Sequence, residues 1–500
     1  MTNVVEYGQR RLLIVLGVMM AALLQTLDAT IVNVALPTIE GNVGASIDDG
    51  TWIITGYIIS NVVVIPLAPY LMQRLGRKQY YAICIAGFTF ASFLCGTAGT
   101  LGALIFYRVV QGMFGGGLIA TSQVILRDTF PPEKLGVSSG IFALALTVGP
   151  ALGPTLGGFL TDNFSWQWVF DINIVPGAIA LFIVLTMLRN PAGPKKLPFD
   201  SVGVALLAVG LGSMQYVLDE GERNDWFGDG RIVFATAMAV LGIAAFIYWE
   251  LRGTKTPIVD LLIFRYRVVQ LGVPCAIMIG VVLFGPIVVL PQYVQEVLGF
   301  TTIMSGFLIL SRALPVILLT PFFGRFVHKV WPPILLFVGM ALSAVSLAMI
   351  ASRMTTDSDF GSFQLYLVLS GIGQSMCLVP LLVTMLGSVQ PADSPKVSSF
   401  IALSVQLGGS IASALLIAIF DRRMYFHADI YRGLATMANP EVHRLLAQGA
   451  TVAKLQAAIA LQAMNAGFAD SIYAIVPVAV VAALVVLGFR FARTAEAASK

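Results

Sequence analysis

Residues 12–37 read LLIVLGVMMAALLQTLDATIVNVALP. The run exceeds the roughly 20 apolar residues that cross a bilayer, yet it holds an ionisable group, Asp28. A charge at the centre of such a span costs at least about 2.5–3.5 kcal/mol. Two more stand in runs of the same kind, Arg108 and Arg312. The rest of the chain also requires lipid as its solvent. Of 500 residues, 57 % are hydrophobic and 11 % charged, with a mean hydropathy of +0.86; a soluble domain has about 25 % charged residues. The run is too long for a signal-peptide core and lacks a small-residue cleavage site, so it is read as a retained span.

Working outward, hydropathy predicts fourteen spans, near 12–36, 51–72, 80–98, 102–126, 136–160, 172–188, 200–218, 232–249, 268–294, 303–324, 333–352, 364–386, 397–420 and 470–489. Most connections are short and polar. Lys and Arg concentrate in alternate connections, those with Arg10, Arg11, Arg74, Arg77, Lys78, Arg127, Lys134, Lys195, Lys196, Arg265 and Arg267. By the positive-inside rule these are cytoplasmic, and with an even number of spans both termini are too. A weak repeat recurs: VALP (34–37) is echoed by VVLP (288–291), Gly44 by Gly299 and Pro66 by Pro321. Parallel repeats of six helices predict two lobes with a substrate site at the midplane between them. The repeat leaves the pair at 200–249 outside both lobes. The expected organisation is a lobe at 1–190, an inserted helix pair with linkers at 191–255, and a lobe at 256–500. The segment 421–469 starts charged and then, over 440–464, shows helical apolar spacing, but it is not long or apolar enough to span; it is read as either a loose periplasmic loop or a partner surface.

The small net charge of +4 and the lack of a basic stripe give no sign of nucleic-acid binding. Cys84, Cys95, Cys275 and Cys377 lie in apolar runs and form no CxxC pair, so they read as packing residues. His328, His427 and His443 fall in expected loops with no metal constellation. There is no P-loop, nucleophile elbow or dinucleotide fingerprint, so neither direct ATP use nor enzyme chemistry is expected, nor any cofactor or metal.

Several motifs carry a resemblance. They are LDATIVNVALP (27–37), RVVQG (108–112), GPALGPTLGG (149–158), WQWVFDIN (166–173) and LDEGERNDWF (218–227). Together they resemble the major facilitator superfamily, specifically its fourteen-span drug:proton antiporters of the EmrB/QacA type. The resemblance implies an all-α membrane fold of two six-helix lobes plus two inserted helices. It implies proton-driven efflux of lipophilic toxic compounds across the bacterial inner membrane, with a periplasmic adaptor and a TolC-like outer-membrane channel as partners. Export of one endogenous metabolite, such as a siderophore, fatty acid or antibiotic, is the alternative.

The resemblance links the first-span acid, Asp28, and the fourth-span arginine, Arg108, to proton coupling. Independently, Asp28 lies about 25 Å above Arg11 and Arg108 about 9 Å below the outer end of its span, at 1.5 Å per residue. Both fall in the outer half of the membrane, where an ion pair and desolvation would pull the acid in opposite directions. A static pair joining spans one and four is the other reading. Gly149, Gly153 and Gly157 recur at i, i+4 and i+8 for close helix approach. With Pro150, Pro154 and Gly158 they form what the resemblance marks as the antiporter motif. Gln73, Arg74, Gly76, Arg77 and Lys78 match its gating turn, except that Gln73 replaces the usual acid and Pro69 a usual glycine. The basic residues there also serve as topology determinants. Candidate cavity residues are Gln25, Asn33, Tyr57, Asn61, Gln111, Arg312, Gln374 and Gln406, each of which could instead bond between helices. The intramembrane charges sum to a net positive, which favours lipophilic weak acids and neutral amphiphiles over dications.

Overall fold

Among the described residues of a computed structural model, fourteen helices are long and apolar enough to cross a membrane. They are α1 Gly8–Val43, α2 Trp52–Leu75, α3 Arg77–Gly96, α4 Leu101–Thr129, α5 Pro132–Asn163, α6 Trp168–Met187 and α7 Ser201–Glu220. There follow α8 Gly230–Gly253, α9 Arg267–Glu296, α10 Met304–Phe326, α11 Pro332–Ser352, α12 Gly361–Gly387, α13 Ser394–Leu434 and α14 Val452–Phe489. The structure describes residues 5–190, 193–254, 256–327, 329–435, 442, 444 and 451–498, with 47–48, 151, 302–303 and 490–498 described by their backbone alone.

Proline and glycine set the bends and stops. Helix α1 runs through Pro37, seven residues past its expected end, and stops where Gly44 turns left-handed at φ +66° and returns its N–H to the Glu40 carbonyl. Its repeat counterpart Gly299 has φ +68°. Such angles are cheap only for glycine. Helix α2 tightens into a 3₁₀ turn at Ile65–Leu67 around Pro66. Helix α6 is interrupted between Asp171 and Ile174, and α12 between Ser375 and Leu378.

The same packing pairs appear twice. Helix α1 packs on α4, α5 and α6, α2 on α4, and α3 on α4 and α6. Helix α9 packs on α13 and α14, α10 on α12, and α11 on α12 and α14. These are two six-helix lobes, with α7 and α8 inserted between them. The lobes meet where α5 lies against α10 and where α2 and α4 lie against α13. Helix α7 touches both α2 and α13 and so clasps the seam. Gln215 Nε2 donates to Ser410 Oγ of α13 at 2.9 Å and to Asp219 Oδ1 at 2.8 Å. At the face bearing the N-terminus, α5 and α10 approach to backbone contact. A Cβ on Gly136 would stand 2.2 Å from the Gly324 carbonyl oxygen. The four cysteines are buried and unpaired.

The segment 421–469 corrects an expectation. Its described part is helical, not a loop: α13 continues to Leu434 and the last helix begins at Val452. Forty-one residues of α13 make a rod of about 60 Å, twice the hydrocarbon thickness of about 30 Å. The two helices therefore stand out of the membrane as a pair on the face opposite the N-terminus. Phe420 stacks on Phe468 at 4.1 Å, and Asp470 accepts from Arg423 and pairs with His427 at 2.8 Å. His427 thus sits on a helix, against the loop expectation, whereas His328 and His443 lie outside the described residues. The reason is compositional. Residues 452–463, VAKLQAAIALQA, consist largely of strong helix formers. Hydropathy marks where lipid ends, not where the helix does.

Candidate functional site

Asp28 and Arg108 come together as a buried pair. Asp28 is 0 % exposed and Arg108 1 %. Arg108 Nη1 donates to Asp28 Oδ2 at 2.5 Å and to Gln111 Oε1 at 2.7 Å, and Nε donates to the Ile53 carbonyl at 3.1 Å. The guanidinium lies over the Tyr57 ring, 4.1 Å from its centroid, with Phe170 at 5.6 Å. A desolvated cation–π contact contributes up to about 2 kcal/mol. The other oxygen, Asp28 Oδ1, accepts from Gln111 Nε2 and from Asn173 Nδ2, both at 3.0 Å. Both amides also reach Ser92 Oγ, at 3.1 and 3.0 Å, and Ser92 donates to the Phe170 carbonyl.

Local structure explains these positions. Gln111 sits one turn from Arg108 on α4, on the same helix face. Asn173 lies in the interruption of α6, which brings its amide to Asp28. Asn173 and Ser92 escaped the sequence reading. The signal was present: WQWVFDIN ends on Asn173, a polar residue at the mouth of a span. Desolvating two ions costs several kcal/mol each, and such a pair persists only when its remaining valences are filled. Here Asp28 accepts three hydrogen bonds and Arg108 donates three. Protonating Asp28 would remove the charge that holds Arg108 against it. Arg108→Lys lacks the planar fork and must lose contacts to Asp28, Gln111 or Ile53. Its expected outcome is transport reduced at least about tenfold, which corresponds to about 1.4 kcal/mol, with normal amounts of protein in the membrane, as read by immunoblot and substrate efflux.

Beside the pair, Gln25, Tyr57 and Asn61 converge on Gly115. A Cβ there would meet Asn61 Nδ2 at 2.9 Å, Tyr57 Oη at 3.2 Å and Gln25 Cγ at 3.4 Å. Tyr57 Oη donates to the Gln25 carbonyl at 3.3 Å. Gln25 Oε1 and both amide atoms of Asn61 are buried without a partner. Buried polar atoms in that condition are uncommon and mark these amides as available to bond. The other candidates do not join them. Gln111 is consumed by the ion pair. Asn33 is exposed, and Gln406 is half-buried on α13. Gln374 lines a small cavity among α5, α9, α10 and α12 with Thr147, Thr320 and Ser375.

Arg312 belongs to the second lobe and is buried at 3 % exposure. It donates to the carbonyls of Leu283 at 3.1 Å and Val282 at 2.9 Å, and to Ser370 Oγ at 3.2 Å. The cause is Pro286, four residues after Val282. Proline has no N–H to bond that carbonyl, and the guanidinium takes its place. Of the two readings the sequence left open, the structure has the carbonyl one. Its charge therefore gives weak support to the net-positive cavity argument. Arg312→Ala is expected to lower the unfolding temperature, leaving buried carbonyls unpaired at about 1–3 kcal/mol. Efflux per folded molecule should stay near wild type, by thermal unfolding and by efflux normalised to folded protein.

The glycine series of α5 rides on α1. A Cβ at Gly149 would meet Thr26 Oγ1 at 2.1 Å, one at Gly153 would meet Thr30 Oγ1 at 2.1 Å, and one at Gly157 the Ile31 carbonyl at 2.6 Å. Pro150 and Gly158 are buried and Pro154 half-buried. At the gating turn Gly76 takes φ +89°. Arg77 bonds Asp128 at the end of α4, so the counter-charge is on α4 and not at Gln73. The Gln73 carbonyl accepts from Lys195 N at 2.9 Å, Lys78 N donates to Asn190 Oδ1 at 3.1 Å, and Arg74 lies over Phe199. A matching cluster closes the second lobe on the same face. Burial alone would raise the Asp393 carboxyl. Hydrogen bonds from Lys396 and Tyr266, with the charges of Lys396 and Arg265, hold it below its ordinary value.

Residues 18–421 match the family model of the Major Facilitator Superfamily. The chain belongs to that superfamily. It is similar to the multidrug export protein EmrB of Escherichia coli (strain K12), 33 % identical over 465 residues that cover 92 % of this chain and 91 % of that one. It is also similar to the fatty acid resistance protein FarB of Neisseria gonorrhoeae, 33 % identical over 438 residues, 87 % of this chain and 85 % of that one. Its fold is similar to that of the proton:xylose symporter XylE, with a TM-score of 0.63 at 14 % identity, covering 95 % of this chain and 94 % of that one. The chain is a multi-pass membrane transporter of the EmrB type.

Proposed function

We propose that this chain exports lipophilic toxic compounds across the bacterial inner membrane in exchange for protons. Similarity to EmrB over nearly the whole length supports drug export. The observation that carries the proton part is the buried, hydrogen-bonded Asp28–Arg108 pair beside Gln25 Oε1 and the Asn61 amide, which have no partner among the described residues. Bound substrate at those amides would draw on the helices that supply Tyr57 and Gln111. Loosening either weakens the hold on Arg108, and Asp28 can then take a proton from the outside. Release of that proton to the cytoplasm re-forms the pair. The lobes 1–190 and 256–500 rock across the seam, and the inserted pair within 191–255 holds α2 and α13 in register as they do. The Lys and Arg bias supports a cytoplasmic N-terminal face. Everted vesicles test the reading: adding substrate should collapse an imposed pH gradient, and vesicles without the protein should show no such effect. A gradient unmoved by any lipophilic compound that the protein exports would remove the proton from the mechanism.

The reading extends to partners. The protruding helices of α13 and α14 present a structured surface on the far face among the described residues, and they suit contact with a periplasmic adaptor that leads to a TolC-like channel. Reversing charge at Arg422, which is exposed, together with Lys454→Glu is expected to spare transport in vesicles and lower resistance of intact cells. Drug susceptibility set beside vesicle efflux checks this. Equal loss in both would assign the hairpin to the transporter's own stability.

A further inference from the structure

On the N-terminal face, below the seam, a cavity of about 230 Å³ opens between the ends of α2, α4, α12 and α13. It is distant from the Asp28 cluster along the chain's helices: Gln123 lies four turns down α4 from Arg108 by the 3.6-residue repeat. Two residues that line it hold buried donors with no partner among the described residues, Gln123 Nε2, on a residue 3 % exposed, and Arg77 Nε. Ser398 Oγ of α13 donates to Gln123 Oε1 at 2.5 Å, and the amide nitrogen has no partner among the described residues. Among the described residues Asp128 is the one acid in the lining; it bonds Arg77 and also attracts Arg127, so with Lys195 the wall carries more positive charge than negative. Met72, Val124 and Leu386 supply an apolar side.

These features select a ligand. Surplus positive charge with unfilled N–H groups rejects cations and favours an anion that can accept several charge-assisted bonds. The apolar wall calls for a tail. The volume falls below the roughly 300–1,000 Å³ of pockets that enclose a whole drug, so it suits a head group and the start of a chain. We propose that this cavity is a second ligand site, which takes amphiphiles with one anionic head and an apolar tail. It deepens the export reading by placing a loading site at the cytoplasmic mouth, but binding there needs no transport. The Gln123–Ser398 bond joins the two lobes across the seam that must part for cytoplasmic access. An anion that engages Gln123 therefore sits against the latch. The same chemistry comes from a free carboxylate amphiphile or from the head of an anionic lipid.

Titration of the purified full chain in phosphatidylcholine nanodiscs tests this, with sodium laurate as probe and methyl laurate and dodecyltrimethylammonium as controls. Laurate is expected to bind at least tenfold more tightly than either control. Arg127→Ala with Lys195→Ala should weaken laurate at least tenfold and leave methyl laurate unchanged. Arg127→Gln with Lys195→Gln serves if the alanine pair fails to fold. Gln123→Leu should weaken it several-fold, and Asp28→Asn should not alter it. Laurate affinity untouched by either double variant, or lost in Asp28→Asn, overturns the proposal; the latter would put the anion in the central site. Adding phosphatidylglycerol separates the sources. Displacement of laurate assigns a lipid head to the site, and undisturbed binding assigns the free amphiphile. Loss of transport with intact laurate binding would count against the export reading alone.

Discussion

Asp28→Asn is expected to abolish substrate-driven proton movement while substrate still crosses by exchange down its own gradient. Asparagine keeps the shape and one acceptor oxygen but cannot carry a proton on and off. Removing one partner of a buried pair costs about 3–5 kcal/mol as a rule. Here Arg108 keeps the Ile53 carbonyl, Gln111 Oε1 and the Tyr57 ring, which holds the cost at the low end and keeps the protein folded. Proton flux in vesicles should fall to the leak of empty ones, and counterflow of labelled substrate should persist. Counterflow and proton flux lost together would mean that Asp28 only ties α1 to α4.

The second large effect concerns the seam. Gly136→Val drives a branched side chain into the Gly324 carbonyl, 2.2 Å from the ideal Cβ. The obstacle is backbone, so no rotamer relieves it, and α5 and α10 must part at the N-terminal face. Efflux should fall to the level of cells without the protein, with membrane abundance near normal. A cysteine placed at Ser398, across the latch from Gln123, should label at least tenfold faster from the side that bears the N-terminus. Gly140→Ala gives the graded comparison. Its Cβ would stand 3.3 Å from the Thr320 carbonyl, a tight but tolerable approach, and efflux should stay close to wild type. Unchanged labelling in Gly136→Val would mean that this contact does not hold the cytoplasmic side shut.

The helices were legible because lipid imposes a simple rule: a span must be long and apolar. That rule located all fourteen and pointed to Asp28, Arg108 and Arg312 as costly exceptions. It also made the Asp28–Arg108 pairing readable, since two opposite charges at one depth in hydrocarbon have few other partners. What escaped were the groups whose importance depends on backbone irregularity. Asn173 matters because α6 breaks beside it, and Arg312 because Pro286 leaves a carbonyl bare. Neither fact follows from hydropathy. The counter-charge of the gating turn was sought at position 73, where Gln73 stands, and lies on α4 as Asp128. Sequence spacing within one turn cannot reveal an acid supplied by another helix. Of the two readings of the outer segment, the loose loop fails for the complementary reason: the polarity that ends a span does not end a helix rich in alanine and leucine. Gln111, named for the cavity from its polarity, has its amide bonded to Asp28 and Ser92, a partnership that polarity alone does not reveal.

The central claim is that substrate binding and protonation of Asp28 are linked through one cluster. Its most direct test is proton exchange on binding, measured on the purified protein in weakly buffered solution with a pH indicator as a neutral substrate is added. The account predicts a proton change on substrate addition that shrinks to nothing in Asp28→Asn at matched substrate occupancy. A proton change of the same size in Asp28→Asn, or none in the wild type at any pH where substrate binds, would contradict it.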